Sequence, residues 1–232
     1  MPSDERPIYR LGEGTAFPPP EMARGDGLLA VGGDLSAPRL LEAYRNGIFP
    51  WFEAGGPVLW WSPDPRLVLD PAALRVSRSL RSVIRKGVFT TTFDTDFRAV
   101  VRACASAPRK DGLGTWITLE VAAGYAALHD LGYAHSVEVR QGRGDLAGGL
   151  YGVLLGRCFF GESMFSRRAD ASKVALVSLA GALLERDVGL IDCQVSSTHL
   201  VGLGAVPIPR AEFLRRLREA LAFPAALGPW TF

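Results

Sequence analysis

Asp192 and Gln194 stand two positions apart in LIDCQV, residues 190–195, a stretch whose remaining members are apolar or cysteine. Side chains alternate along a strand, so Leu190, Asp192 and Gln194 share one face and Ile191, Cys193 and Val195 the other. Burying an unpaired amide costs on the order of 1 to 3 kcal/mol, and an unpaired carboxylate costs more. A site that receives a cation or an amine would explain the pair, and a solvated strand end is the competing explanation. Glu162 adds a second carboxylate at the end of an aromatic strand, CFFGES, residues 158–163. Strict alternation places it with Cys158 and Phe160, but Gly161 invites a bulge, which leaves its face open.

A second kind of chemistry is electrostatic. In RVSRSLRSVIRKG, Val76, Leu80, Val83 and Ile84 fall on one arc of a helix, and Arg75, Arg78, Arg81, Arg85 and Lys86 occupy the other. No acidic residue occurs between Asp70 and Asp94, so the arc is a candidate footprint for a phosphate backbone, against the ordinary alternative of a solvated face. Trp51, Phe52, Trp60 and Trp61 are flat side chains that could stack a base, or could form the core of a small domain. Trp60 and Trp61 lie on opposite faces of a strand, so at least one of them belongs to a core. His129, His135 and His199 sit on different elements without the spacing of a metal site, and neither a nucleophile elbow nor a phosphate loop is present.

The elements that must hold these groups fall into two parts. Residues 12–34 are too rich in Gly and Pro for a helix or a long strand. A short helix capped by Ser36, two strands near 57–61 and 66–69, the basic helix, the strand VFTTTF and a helix capped by Asp94 follow. Beyond APRKDGLGT the order becomes regular: a helix from Thr118 to Gly132, strands near 134–140, 145–155 and 157–163, a helix over 171–186, LIDCQV, and a helix over 210–222. That order predicts an α+β fold with a mainly antiparallel sheet and one crossover. The boundary is placed between an N-terminal domain, 1–109, carrying the basic helix and the tryptophans, and a catalytic domain, 110–232.

With 48% apolar residues the chain can fill such cores, and a net charge of only +2 means that nucleic-acid affinity would have to come from a local patch. The cysteines, Cys104, Cys158 and Cys193, are odd in number and form no CxxC pair, which favours a reducing compartment. The longest apolar run, VALVSLAGALL, is interrupted by Ser178 and too short for a bilayer, and MPSDERPIYR lacks the apolar core of a signal peptide. A cytoplasmic protein without membrane contact is expected.

Several long blocks carry a resemblance. AFPPPE, DGLLAVGGDLS, YRNGIFPWF, LWWSPDPR, GTWIT, GYAHSVEV, GGLYGV, FFGESMFS, ASKVAL and LIDCQV with HLVGLGA, in order from about residue 16 to 213, resemble the bacterial leucyl/phenylalanyl-tRNA-protein transferases. The resemblance implies an acetyltransferase-like C-terminal domain and an enzyme that moves Leu or Phe, and Met, from charged tRNA to the N-terminal Arg or Lys of a protein. The product is thereby marked for degradation through the N-degron pathway. Neither a cofactor nor a metal is implied, since the donor is already an activated ester, and a monomer is expected. By the same resemblance Asp192 and Gln194 act on the attacking amine, and Glu162 contacts the donor's α-amino group. Leu150, Phe159, Leu176, Leu179 and Ile191 line its side-chain pocket, Trp51 and Trp116 lie near the 3′-terminal adenosine, and the basic helix meets the acceptor stem. The competing readings are a CoA-dependent N-acetyltransferase and a non-enzymatic RNA-binding module.

Overall fold

The computed structural model describes residues 6–108, 115–142, 144, 146–224, 227–228 and 230. In chain order the first half holds β1 (Tyr9–Leu11), β2 (Leu28–Gly32), α1 (Ala37–Arg45), β3 (Phe49–Pro50), β4 (Leu59–Trp61), β5 (Arg66–Leu69), α2 (Arg78–Arg85), β6 (Thr90–Phe93) and α3 (Phe97–Ala105). The second half holds α4 (Leu119–Asp130), β7 (Ala134–Arg140), β8 (Leu146–Leu155), β9 (Cys158–Ser166), α5 (Ala171–Leu184), β10 (Leu190–Gln194), α6 (Thr198–Gly202), β11 (Val206–Ile208) and α7 (Arg210–Leu221). Among the described residues no helix is long and apolar enough to cross a membrane.

The main layer is a seven-stranded sheet in the order β11-β5-β10-β9-β8-β7-β6, and a smaller sheet runs β1-β2-β4-β3. Among the described residues only β9 and β10 pair in parallel within the large sheet, joined through α5, as the expected single crossover requires. The α+β class and mainly antiparallel sheet read from the sequence are therefore present. Two strands of the large sheet, β5 and β6, come from residues ahead of the expected boundary near 109, and residues 109–114 of the expected linker lie outside the described residues.

Alternation along β9 and β10 sorts two cores onto the two faces. Cys158, Phe160 and Leu190 join the core built from α1, α3, α4 and α7, while Phe159 and Ile191 join the core under α5, with Leu176, Leu179 and Leu183. The start of α4 is secured by Thr118, whose hydroxyl accepts from the Val121 N–H, as expected of that residue at a helix N-terminus. Asp94 does not play that part for α3. It adopts a positive φ of 55°, and its carboxylate accepts from the Ser136 and Trp230 amides, with His135 Nδ1 2.8 Å away. The residue in the capping position is Asp96. Nor do residues 57–61 and 66–69 pair with one another, because β4 belongs to the small sheet and β5 to the large one. Trp60 is fully buried and Trp61 half-buried, matching the expected split.

Candidate active site

The end of β10 is where regular pairing stops. Asp192 faces Val68 of β5, but the next paired position is Gln194 with Leu67, so the register slips between them. Gln194 takes a φ of 64°, a left-handed conformation that costs a non-glycine residue on the order of 1 to 3 kcal/mol. Asp192 supports that turn, since its Oδ1 accepts from the Gln194 backbone N–H at 2.9 Å. The two side chains hold different partners and do not meet.

What meets Asp192 is Arg66. The guanidinium forms a two-pronged pair, Nε to Oδ1 at 2.8 Å and Nη2 to Oδ2 at 2.6 Å, with both side chains fully buried. Arg66 is further satisfied by the Gly47 carbonyl at 3.1 Å and lies between the rings of Phe49 and Phe213, 4.7 and 4.6 Å from their centroids. Gly47 itself has φ 68°, and a Cβ there would stand 2.7 Å from Leu214, so the acceptor that completes this array sits at a position suited to glycine. The question raised by a carboxylate in an apolar strand is thus answered by a buried, hydrogen-bonded counter-ion.

Gln194 reaches the other way. Its Nε2 donates to Glu162 Oε1 at 2.9 Å, and Glu162 Oε2 accepts from the Tyr125 hydroxyl at 2.5 Å, which in turn lies 2.5 Å from the Tyr44 hydroxyl. Glu162 is the extra residue of a β-bulge: Tyr151 pairs with Ser163 and Gly152 with Gly161, leaving nothing opposite position 162. The carboxylate points toward Tyr125 on the α4 side of the sheet, the face that alternation from Cys158 and Phe160 gives it, and the bulge shifts the residues that follow. Burial pushes the Glu162 carboxyl up to about 7, against the pull of the Tyr125 and Tyr44 hydroxyls, and both tyrosines are held well above their usual range by burial and by the nearby carboxylate.

Glu162 and Gln194 open onto a cavity of about 430 Å³, a volume suited to a small ligand. Trp51, Trp116, Cys104 and Met164 are among its other walls. Trp51 is 44% exposed and leans on Trp61 with ring centroids 5.7 Å apart, so it offers a free aromatic face. Trp116 is buried and meets Tyr125 edge-on at 6.4 Å. Three seryl side chains, Ser163, Ser196 and Ser197, supply polar lining. The arrangement can hold a flat group between aromatic walls and present it to a carboxylate and an amide. Among the described residues no three His, Cys, Asp or Glu side chains converge as a metal site.

The remaining sequence candidates are distributed as follows. Leu150, Phe159, Leu176, Leu179 and Ile191 are brought together, but as buried members of the core under α5 rather than as walls of this cavity. Met164 connects the two, packing against that core while lining the cavity. Arg78, Arg81 and Arg85 lie on α2, with Arg75 before it and Lys86 at its end, and all five are exposed and without an ion pair among the described residues. Three participants escaped the sequence reading: Arg66, Tyr44 and Tyr125. Arg66 carried a signal, a lone cation opening the apolar strand RLVL. The tyrosines carried none, because each sits on a helix face where an aromatic core residue is ordinary.

Comparison with known proteins decides the family. The leucyl/phenylalanyl-tRNA protein transferase model matches residues 68–218, and the model for the N-terminal domain of the same proteins matches residues 33–64. The chain belongs to this family. The transferase of Desulforapulum autotrophicum is 54% identical over 97% of this chain and 98% of its own length. That of Anaeromyxobacter sp. strain K is 57% identical over 97% and 96%. Among solved structures, a GCN5-related N-acetyltransferase from Kribbella flavida matches at 12% identity and a TM-score of 0.37, over 72% of this chain and 59% of that one. The CoA-dependent and RNA-binding-module readings are not favoured beside relatives that share one name over nearly the whole chain.

Proposed function

We propose that the chain transfers Leu or Phe, and also Met, from charged tRNA to the N-terminal Arg or Lys of a protein. The observation that carries this reading is the Gln194–Glu162–Tyr125 hydrogen-bonded line opening on a cavity walled by Trp51 and Trp116, in a chain of this family. In the reaction the free amine of the acceptor attacks the ester carbonyl carbon, the carbon to oxygen bond to the ribose breaks, and a proton passes from nitrogen to the departing ribose oxygen. No activation is needed, so the protein's part is to place an amine against an ester and to keep competing water out. An α-amine with an ordinary pKa of about 7.7 to 8.0 supplies enough nucleophile near neutrality.

Roles follow from reach. Glu162, at the cavity, receives the donor's α-amino group. Gln194 presents its amide to the attacking amine and to the charge that develops on the carbonyl oxygen; a neutral amide is a poor base, so orientation rather than proton abstraction is its contribution. Asp192 is a positioning residue that acts through the backbone of Gln194 and is itself fixed by Arg66. Trp51 and Trp116 flank the terminal adenosine. The donor's side chain rests at Met164, backed by the apolar core of Leu150, Phe159, Leu176, Leu179 and Ile191, which offers no hydroxyl partner and disfavours polar side chains. Arg75, Arg78, Arg81, Arg85 and Lys86 hold phosphates of the acceptor stem, a contact that lets tRNAs of different sequence serve as donors. The setting is the cytoplasm, where charged tRNA is made, the chain acts as a monomer, and the product enters the N-degron route.

The test mixes purified protein, leucyl-tRNA carrying labelled Leu, and a peptide that begins with Arg or Lys. Label is expected in the peptide; no transfer from fresh donor would sink the reading.

A further inference from the structure

Neighbouring residues of α3 open onto different cavities. Cys104 lines the one that holds Glu162 and Gln194, whereas Ala103 lines a second hollow of about 250 Å³. Into this second space come Arg102 from α3, Arg140 from the end of β7 and Arg167 from just beyond β9, together with the carboxylate of Asp96. Asp96 is engaged by Arg140, Nη2 to Oδ2 at 3.3 Å, and Arg140 also donates to the Gly144 carbonyl at 3.4 Å. The Arg167 guanidinium stands 5.5 Å from the Phe165 ring. Arg102 and Arg167 are exposed, and among the described residues neither is in an ion pair. Three cations facing one carboxylate leave a surplus of two positive charges in one concave site. Such a surplus concentrates anions, and guanidinium forks match phosphate oxygens in geometry.

Place in the fold narrows the anion. Glu162 and Arg167 lie five residues apart along the same chain segment, about 16 Å at strand spacing, a gap that a few nucleotides of single strand bridge. The basic helix lies on the other face of the sheet, but the strand that follows it forms this edge: Thr90, five residues beyond Arg85 at the end of α2, is paired in register with Arg140.

We propose that this arginine-lined hollow binds a backbone phosphate of the single-stranded 3′ end of the donor RNA. The inference rests on the proposed transfer from charged tRNA and adds a second phosphate contact on the opposite side of the sheet from α2. A phosphate accompanies every donor, whereas the carboxylates of acceptor proteins vary from one to the next, which favours the RNA as occupant.

The experiment compares wild-type protein with Arg102→Gln/Arg167→Gln. Both side chains are exposed, so an unchanged melting temperature is expected. Leucyl-tRNA is set against the leucyl ester of adenosine, a donor or competitor that carries no phosphate. For the variant, KM for leucyl-tRNA should rise about tenfold or more with kcat nearly unchanged, the loss of one or two charge-assisted hydrogen bonds. The salt dependence should become shallower by about 0.7 in log-log slope for each phosphate that is no longer neutralised. Affinity for the adenosine ester should stay the same, and Arg102→Lys/Arg167→Lys should recover part of the loss. Equal effects on both donors, no effect on either, or a KM change confined to acceptor peptides with Asp or Glu near the N-terminus would each overturn the phosphate site. Wild-type protein that transfers from neither donor would instead overturn the transferase reading on which it rests.

Discussion

Replacing Glu162 with Gln should make the protein more stable and less active, and the reversal depends on pH. Glu162 is buried, and its carboxyl is raised from an ordinary 4.5 to about 7. The folded state therefore holds this proton more tightly than the unfolded chain does. The stability it contributes is fully present below about 4.5 and is lost as the pH rises through about 7. That interval is worth about 3 kcal/mol. Glutamine cannot ionise and escapes the loss, but its single carbonyl oxygen accepts from Tyr125 or from Gln194 and not from both, a deficit of about 1 kcal/mol. Glu162→Gln is thus expected to exceed the wild type by about 2 kcal/mol at pH 8, to match it closely at pH 5, and to fall about 1 kcal/mol below it near pH 3.5. Urea unfolding of both proteins across that range measures the difference directly, and other titrating groups cancel in the comparison. Two curves that stay parallel would refute the idea that desolvation of this carboxylate is a cost borne by the fold.

The buried pair gives a second test: Arg66→Met alone should cost about 3 to 5 kcal/mol by stranding the Asp192 carboxylate, and Arg66→Met/Asp192→Leu should recover much of it while transfer stays lost. Calorimetry that finds the double variant as unstable as the single one would contradict this pairing. Gln194→Gly should relieve the left-handed strain and preserve or raise the melting temperature, yet abolish turnover, so retained activity would remove Gln194 from the reaction. Charge reversal at Arg78 and Arg81 should weaken tRNA binding and flatten its salt dependence; binding that does not change returns α2 to an ordinary solvated face.

Much of the candidate site was readable because its signals are local. Alternation in LIDCQV divided Leu190 and Asp192 from Ile191 and Cys193, alternation in CFFGES placed Glu162 with Cys158 and Phe160, and Gly161 warned of the bulge beside it. The crossover followed from element order alone. What escaped depends on distant partners. Nothing near Asp192 announces Arg66, which lies 126 residues earlier and meets it only because β5 pairs with β10. The turn at Gln194 is likewise invisible to a periodic pattern, since it arises where the ladder slips and a carboxylate captures a backbone amide. Asp94 had the right residue type for a helix cap but is drawn instead to Ser136 and Trp230, partners that only the packed sheet brings near. For the apolar residues around Leu179, sequence cannot separate a ligand receptacle from a core, because both need the same side chains.

Mass analysis of the acceptor tests the proposed chemistry most directly. A peptide beginning with Arg and its N-acetylated twin are incubated with the protein and leucyl-tRNA. The free-amine peptide should gain the mass of a single leucine residue at its N-terminus, and the acetylated peptide should gain nothing. Leucine on both peptides, or on neither while the donor remains charged, would contradict attack by the N-terminal amine.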